Sequence, residues 1–263
     1  MTQTLEGRLA LVTAASRGLG RASAEALGRA GCDLMICSRD QASVDRAVTE
    51  LRAATGREVQ GIAADLARAE DVQRVLEAAL AIRGRVDVLV SNTGGPPPGP
   101  FMGFDDVAWQ GAFESLLMPA VRLARGVVPG MQGQGWGRIL FVTSSAVKQP
   151  IPALVLSNAL RAAVTAMAKT LAGQVARDGI TVNCVAPGRI LTDRVRFLDG
   201  EAARGSGQSL AEVQAEQATR IPAGRYGEPR EFGAAVAFLA SPGAAYITGS
   251  TLAVDGGIIG SLL

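Results

Sequence analysis

The chain of 263 residues contains no histidine. This absence excludes a histidine general base, a Ser-His-Asp triad and every common metal site that uses imidazole ligands. Cysteine is also scarce: Cys32, Cys37 and Cys184 are odd in number and have no CxxC spacing. We therefore expect reduced, buried thiols that pack as small hydrophobic side chains, with no disulfide and no metal.

An excess of charge of one sign is lacking as well. The 26 Lys and Arg residues face 24 Asp and Glu residues, for a net charge of +2, which gives no concentrated basic face for nucleic acid or a membrane surface. No uncharged apolar run reaches the roughly 18 residues that span a bilayer. The N-terminal sequence also lacks the pattern of a signal peptide. We expect a soluble, cytoplasmic protein that binds neither nucleic acid nor membrane.

Aromatic residues make up only 4% of the chain, but hydrophobic residues reach 48%, so the core must consist mostly of Ala, Val, Leu and Ile. Short apolar runs alternate with stretches of helical period. The predicted strands are residues 8–13, 33–38, 58–63, 86–91, 138–143, 180–185 and 251–254. Strands that are apolar on both faces and separated by helices predict an α/β fold, with a doubly wound parallel sheet covered by helices on both faces. We find no repeat or boundary within 1–263, which predicts a single domain.

Two regions depart from this alternation. Pro119 and Pro129 should kink or interrupt the helix predicted over 105–131. Residues 190–227 are polar and contain one predicted helix, at 210–219. A long segment with few apolar residues inside a compact domain is usually functional, so we expect a lid over about 193–219.

A glycine-containing turn lies between the first predicted strand and the helix that follows it. Gly18 and Gly20 permit close approach of a ligand to the backbone, and the helix N-terminus offers unpaired N–H groups to a pyrophosphate. The strand–turn–helix context supports a dinucleotide loop. About 20 residues further on, a carboxylate selects NAD and an arginine accepts the extra phosphate of NADP. The sequence has Arg39 there, with Arg17 in the loop, and Asp40 fits a helix N-cap. These residues predict NADP.

Several motifs along the chain together resemble those of the short-chain dehydrogenase/reductase family, and the resemblance covers nearly the whole chain. Residues 13–20 resemble the family's TGxxxGxG, with Ala14 in place of the first glycine. Residues 91–94 resemble NNAG, and residues 183–188 match Asn-x-x-x-Pro-Gly. Residues 224–257 resemble the family's C-terminal signature. Among its members, the chain is most similar to bacterial 3-oxoacyl-carrier-protein reductases.

The resemblance implies a Rossmann-like sheet of seven strands and hydride transfer between a nicotinamide and a carbonyl or alcohol. It also implies self-association, as a homotetramer or a homodimer. Asp65 and Leu66 match the family's adenine-contacting pair, and Thr192 matches the residue that touches the nicotinamide carboxamide. The cofactor-binding residues expected from both arguments are Ser16, Arg17, Gly18, Leu19, Gly20, Ser38, Arg39, Asp65, Leu66, Asn92, Gly94, Arg161, Pro187, Gly188, Ile190 and Thr192.

The catalytic pattern departs from the family. Its members carry a serine, a tyrosine thirteen residues later and a lysine four residues beyond, and these positions hold Ser144, Ser157 and Arg161 here. The position of the family's assisting asparagine falls at Ser115–Leu116. Lys148, on the loop after Ser144, is either a replacement acid, a contact for an anionic substrate or a solvated charge. We take Ser144, Ser157 and Arg161 as the expected catalytic residues.

A serine hydroxyl is a far weaker acid than a phenol next to an ammonium, and an arginine does not give up its proton. General acid–base assistance is typically worth about 10² to 10⁴ in rate, so its loss need not abolish turnover. The resemblance therefore implies an NADP-dependent oxidoreductase that reduces a small-molecule carbonyl through an atypical Ser/Ser/Arg centre. The alternatives are a non-catalytic NADP-binding sensor or partner subunit, and non-redox chemistry on the same fold.

Overall fold

In the computed structural model, which describes residues 4–261, seven parallel strands form one sheet in the order β3-β2-β1-β4-β5-β6-β7. Each strand lies within two residues of its predicted bounds, and the predicted seven-stranded doubly wound fold is confirmed. The strands are β1 (Leu9–Val12), β2 (Asp33–Ser38), β3 (Val59–Ala63), β4 (Val88–Ser91), β5 (Gly137–Val142), β6 (Ile180–Pro187) and β7 (Thr251–Val254).

Helices cover both faces of this sheet, as expected. They are α1 (Gly18–Arg29), α2 (Gln41–Thr55), α3 (Ala69–Arg83), α4 (Asp106–Ala112), α5 (Met118–Gln134), α6 (Val155–Val175), α7 (Asp193–Ser206), α8 (Leu210–Thr219) and α9 (Pro229–Ala240). One core contains buried residues of α3, α5 and α6, and the other contains buried residues of α1, α2 and α9. None of the helices within residues 4–261 is both long and apolar enough to cross a bilayer.

Alternation of side chains along the strands builds the two cores. In β1, Leu9 and Leu11 belong to one core, whereas Ala10 and Val12 belong to the other, because successive strand residues point to opposite faces. β1 lies between β2 and β4, and the chain runs outward from it in both directions. In doubly wound sheets, ligands bind at such a switch point, beyond the carboxyl ends of the strands.

The predicted interruption of the helix over 105–131 occurs at one proline but not at the other. A π-helical turn, Phe113–Leu117, separates α4 from α5, and Pro119 lies in the first turn of α5, where its missing N–H needs no partner. Pro129 lies inside α5 without ending it. Proline has no N–H to donate to the carbonyl four residues earlier, which here is that of Arg125. Both residues are exposed, so water can donate a hydrogen bond to this carbonyl instead.

The irregular segment contains one more helix than predicted. The helix predicted at 210–219 is confirmed as α8, but α7 was not predicted, because its two glycines and polar composition weaken the helical pattern. The Thr192 hydroxyl accepts a hydrogen bond from the Val195 N–H (3.4 Å) at its N-terminus. Gly207, with a φ of 73°, ends it.

The three cysteines are buried and free, as expected. Burial raises the pKa of Cys32 and Cys37 to about 12 and that of Cys184 to about 11. These thiols therefore stay protonated near neutral pH and pack as apolar groups. Across residues 4–261, no three His, Cys, Asp or Glu side chains are grouped as metal ligands would be.

Candidate functional site

The glycine-containing loop after β1 is shaped for close contact with a ligand. Gly18 has a φ of 59° and Ala14 a φ of 47°, so the alanine that replaces the family's first glycine adopts a left-handed conformation at a cost of roughly 1 kcal/mol. A side chain on Gly20 would clash with the Ala14 carbonyl and lie 2.9 Å from Asn92 Nδ2. The side chain of the N-cap residue, Arg17, makes no hydrogen bond that caps the N-terminus of α1. The N–H groups at this terminus therefore suit an anion.

A buried hydrogen-bond network joins this loop to the end of β4. Thr13 Oγ1 donates to the Asn92 carbonyl (2.6 Å), and the Asn92 N–H donates to Thr13 Oγ1 (2.8 Å). The Asn92 side chain also donates to the Ala14 carbonyl (3.4 Å). Thr13 and Asn92 are both buried. This network holds the loop in place across the switch point.

A cleft of about 620 Å³ lies between this loop and the start of α2. Its lining includes Ser16, Arg17, Ser38, Arg39, Asp40, Ser43 and Arg46. The expected helix N-cap is confirmed, since the Asp40 carboxylate accepts from the Ser43 N–H (2.8 Å). Hydrogen bonds from Ser43 lower the pKa of Asp40. Ser16 Oγ donates to Ser38 Oγ (2.9 Å), which joins the loop to the end of β2.

Three guanidinium groups border this cleft, and the sequence analysis identified two of them. Arg46, on α2, was missed because only the packing of α2 beside the loop reveals its position. Arg17 reaches across to Asp193 at the start of α7 (3.1 Å), and both side chains are largely exposed. The cleft is therefore bordered by positive charge that a phosphate can engage.

Two predicted adenine-contacting residues follow β3. Leu66 is buried in the core of α3, α5 and α6. Asp65 is exposed, and its N–H donates to the Asp71 carboxylate (2.7 Å).

The residues after β6 lie close to the glycine-containing loop. A side chain on Gly18 would lie 3.7 Å from Thr192 Cγ2, so the end of β6 faces the N-terminus of α1.

Other residues after β6 shape this wall. The Gly188 N–H donates to the Val254 carbonyl (3.0 Å), and a side chain there would lie 2.6 Å from Asp255 Cβ. Pro187 ends β6. Ile190 is buried and forms a bridge with Gly227. These contacts fix the position of the chain that follows β6.

The expected catalytic residues come from β5 and α6. Ser144 follows β5, and its hydroxyl accepts from the Ala146 N–H (3.1 Å). Ser157 and Arg161 lie one turn apart on α6 and are buried, at 6% and 8% exposure. Arg161 Nη1 donates to the Val142 carbonyl (2.7 Å), two residues before Ser144. The structure therefore brings Arg161 to the carboxyl end of β5, with Ser157 one turn before it on α6.

Arg161 also joins β5 to the loop after β4. Its Nη2 donates to the Gly94 carbonyl (3.3 Å) and to Thr93 Oγ1 (3.5 Å). Burial, and next the charge of Arg194, lower the pKa of Arg161 to about 10. The guanidinium stays charged at neutral pH and is held in a fixed position.

Ser115 and Leu116, which occupy the position of the family's assisting asparagine, lie in the π-helical turn between α4 and α5. Ser115 Oγ donates to the Gly111 carbonyl (2.8 Å) in the preceding turn, so its hydroxyl proton is used within its own helix. Leu116 is buried. Lys148 is half-buried on the short turn after Ser144.

Neither tyrosine supplies the missing phenol. Tyr246 is fully exposed. The Tyr226 hydroxyl donates to the fully buried Asp199 carboxylate of α7 (3.0 Å), which also pairs with Arg189. Burial and this hydrogen bond raise the pKa of Tyr226 to about 12, so it is a poor proton donor. The three residues tie α7 to the loop after β6.

A second guanidinium, missed in the sequence analysis, lies near Arg161. Arg194, in the first turn of α7, donates from Nη2 to the Pro96 carbonyl (2.6 Å). Its guanidinium lies 5.6 Å from the centre of the Phe197 ring. Its position two residues after Thr192 was the available signal, but its direction depends on α7, which was not predicted.

Comparisons with known proteins agree with this architecture. A protein-family signature described as enoyl-(acyl carrier protein) reductase matches residues 13–259. The 3-oxoacyl-acyl-carrier-protein reductase FabG of Vibrio cholerae is 38% identical over 254 residues, which cover 97% of this chain and 98% of that protein.

Two solved structures are similarly close. The L-sorbose reductase of Gluconobacter frateurii, complexed with NADPH and L-sorbose, superimposes with a TM-score of 0.95 at 34% identity, covering 100% of both chains. A variant of the actinorhodin polyketide ketoreductase with NADPH gives a TM-score of 0.92 at 32% identity, covering 99% of both. With the sheet order, the glycine-containing loop and these matches, the chain belongs to the short-chain dehydrogenase/reductase family.

Proposed function

We propose that this protein is an NADPH-dependent reductase of a small-molecule carbonyl compound that works through an atypical Ser144/Ser157/Arg161 centre. The observation that carries the proposal is the position of Arg161. It joins the end of β5 to the loop after β4, and Asn92 of that loop donates to the Ala14 carbonyl of the glycine-containing loop. The NADPH complexes of two similar reductases support the same cofactor.

The residues around the cleft fit NADP. The uncapped N-terminus of α1 and the left-handed Gly18 suit the diphosphate. Arg17, Arg39 and Arg46 suit the additional phosphate, because arginine binds phosphate with paired N–H donors. When bound, NADPH supplies the hydride that reduces the carbonyl carbon.

The chain's own residues orient and polarise the substrate. We assign the Ser144 and Ser157 hydroxyls as donors to the carbonyl oxygen, which gains negative charge during reduction. Arg161 holds the ribose of the cofactor and adds positive potential. Because no phenol lies at this centre and the Tyr226 hydroxyl is bound to Asp199, a water molecule delivers the proton to the alkoxide oxygen. Helices α7 and α8 form a lid that excludes bulk water.

We also propose that the protein acts in the cytoplasm and associates with copies of itself, as a homotetramer or a homodimer. Support for self-association comes from β7, an edge strand whose residues are partly exposed, unlike those of the buried strand β6 beside it. Leu252 on β7 is 37% exposed. Light scattering coupled to size-exclusion chromatography measures the assembly.

Two measurements test the reductase proposal. Fluorescence titration should show tighter binding of NADPH than of NADH, because the arginines engage the additional phosphate. NADPH oxidation should then appear with at least one member of a panel of 3-oxoacyl thioesters, diketones, quinones and 2-oxo acids. A preference for NADH would contradict the cofactor assignment.

The replaced tyrosine favours one other function, an NADP-binding sensor or partner subunit without turnover. Ser157 lacks the acidity of a phenol, whereas the glycine-containing loop keeps the geometry for binding. Tight NADPH binding without oxidation by any compound in the panel would support this second function and overturn the first.

A further inference from the structure

Arg161 and Arg194 hold one loop from two sides. Arg161 donates to Thr93 Oγ1 and the Gly94 carbonyl, and Arg194 donates to the Pro96 carbonyl. A side chain on Gly95 would lie 2.8 Å from Arg194 Nε. The two guanidiniums therefore flank residues 93–96, which lie directly after β4.

Neither guanidinium has a carboxylate partner within residues 4–261. All of their side-chain hydrogen bonds go to carbonyl or hydroxyl oxygens. Elsewhere, buried carboxylates of this chain do pair with arginines, as Asp87 does with Arg8 and Arg85. An uncompensated buried charge is costly, and two like charges close together add to that cost. A bound anion would remove it.

Free donors remain for such an anion. A guanidinium has five N–H donors, of which the observed contacts use at most three on Arg161 and one on Arg194. With one further Arg161 donor on the cofactor ribose, as proposed above, at least one donor of Arg161 and four of Arg194 remain for the anion. Two guanidiniums can hold both oxygens of one carboxylate through charge-assisted hydrogen bonds. A lysine at either position would lack this paired geometry.

The position of Arg194 points to the substrate rather than to the cofactor diphosphate. On the first turn of α7, Asp193 pairs with Arg17 of the glycine-containing loop, whereas Arg194 contacts Pro96. The loop that contains Pro96 continues to Gly99, whose N–H donates to the Ala153 carbonyl just before α6 (2.8 Å). Arg194 thus contacts a loop that is also hydrogen-bonded to the residues just before α6, the helix that carries Ser157.

We propose that Arg161 and Arg194 form an anion subsite for a carboxylate of the substrate, so that the substrates are oxo acids with the carboxylate adjacent to the reducible carbonyl. This inference rests on the proposed reductase function. It adds the substrate class, and it assigns Arg194 as a residue that determines specificity.

Binding of a non-reactive probe tests the subsite without turnover. The full-length protein saturated with NADP⁺ is titrated calorimetrically with oxamate, a 2-oxo acid analogue, and with neutral oxamide. Oxamate should bind at least about tenfold more tightly. Arg194→Gln should weaken oxamate binding by about 10- to 100-fold and leave NADPH binding within about twofold. The matched control is Arg196→Gln, an exposed residue of the same helix that pairs with Asp193 and should change neither.

Every other outcome of this experiment either supports or contradicts the anion subsite. Equal affinity for oxamate and oxamide would overturn it. Weaker NADPH binding by Arg194→Gln with unchanged oxamate binding would also overturn it, and would assign this guanidinium to the cofactor diphosphate. Should Arg194→Gln unfold, Arg194→Lys, which keeps the charge, must still show the loss of oxamate affinity. Oxamate binding that depends on Arg194 in a protein that oxidises no NADPH would uphold the subsite and refute the reductase function.

Discussion

Two groups of arginines differ in how the fold surrounds them. The outer arginines, Arg17, Arg39 and Arg46, are exposed around the cleft beside α2. The inner arginines, Arg161 and Arg194, are buried or half-buried and donate to backbone carbonyls. Exposed charges are screened by salt and exchange partners easily, so the outer group suits selection of a phosphate. The inner group is fixed and suits recognition that depends on geometry.

The largest expected effect comes from changing one inner arginine, Arg161, together with Ser157, which lies one turn before it on α6. Ser157→Tyr with Arg161→Lys restores a phenol next to an ammonium, which lowers the phenol pKa toward neutrality. At saturating substrate, carbonyl reduction with NADPH should rise by about 10² to 10⁴, measured as the rate of NADPH oxidation.

The matched control is Ser157→Phe with Arg161→Lys, which adds the ring without the hydroxyl and should not raise the rate. Equal rates for the two double variants, with folding intact by circular dichroism, would show that the acid is not what this centre lacks.

A smaller effect is expected from the outer group. Arg39→Ala with Arg46→Ala removes donors to the additional phosphate, so NADPH binding should weaken by about 10- to 100-fold at low salt, with little change for NADH. The difference should shrink as salt rises. Fluorescence titration at two salt concentrations measures both. Arg29→Ala is the control, because this exposed arginine of α1 pairs with Glu25; an equal loss in that variant would refute a specific role for the cleft.

The smallest effect comes from the link between the outer group and α7. Asp193→Asn removes the charge that pairs with Arg17 and leaves the guanidinium free for phosphate. An exposed ion pair contributes less than about 1 kcal/mol, so NADPH should bind more tightly by at most about fivefold. The free energy of unfolding should change by no more than about 0.5 kcal/mol. Weaker NADPH binding would mean that Asp193 itself supports the cofactor.

The sequence predicted features that depend on neighbouring residues. The bounds of β2 and β7 agree with the predicted runs to the residue, because an apolar strand between turn residues is a local pattern. The glycine-containing loop was predicted for the same reason. The Asp40 cap likewise depends on only a few consecutive residues.

Features that depend on distant contacts were missed. Helix α7 has weak local preference but is anchored by Asp199, whose partners Arg189 and Tyr226 lie outside the helix. Without α7, the direction of Arg194 was not derivable. Pro129 does not end α5, and what decides this is its exposure within the helix, which the sequence does not show.

The anchoring of α7 has a consequence for motion at the mouth of the site. Asp199 is fully buried on a helix whose other side chains are mostly accessible, and it is fastened to residues on either side of the Ile190–Gly227 bridge. A helix that is held near its middle can move at its ends more easily than it can separate from the rest of the domain. Movement of small molecules past α7 would thus follow from pivoting of its C-terminal end, next to Gly207. Its centre stays in place, and so does its first turn, which is held by the contacts of Arg194 with Pro96 and of Asp193 with Arg17.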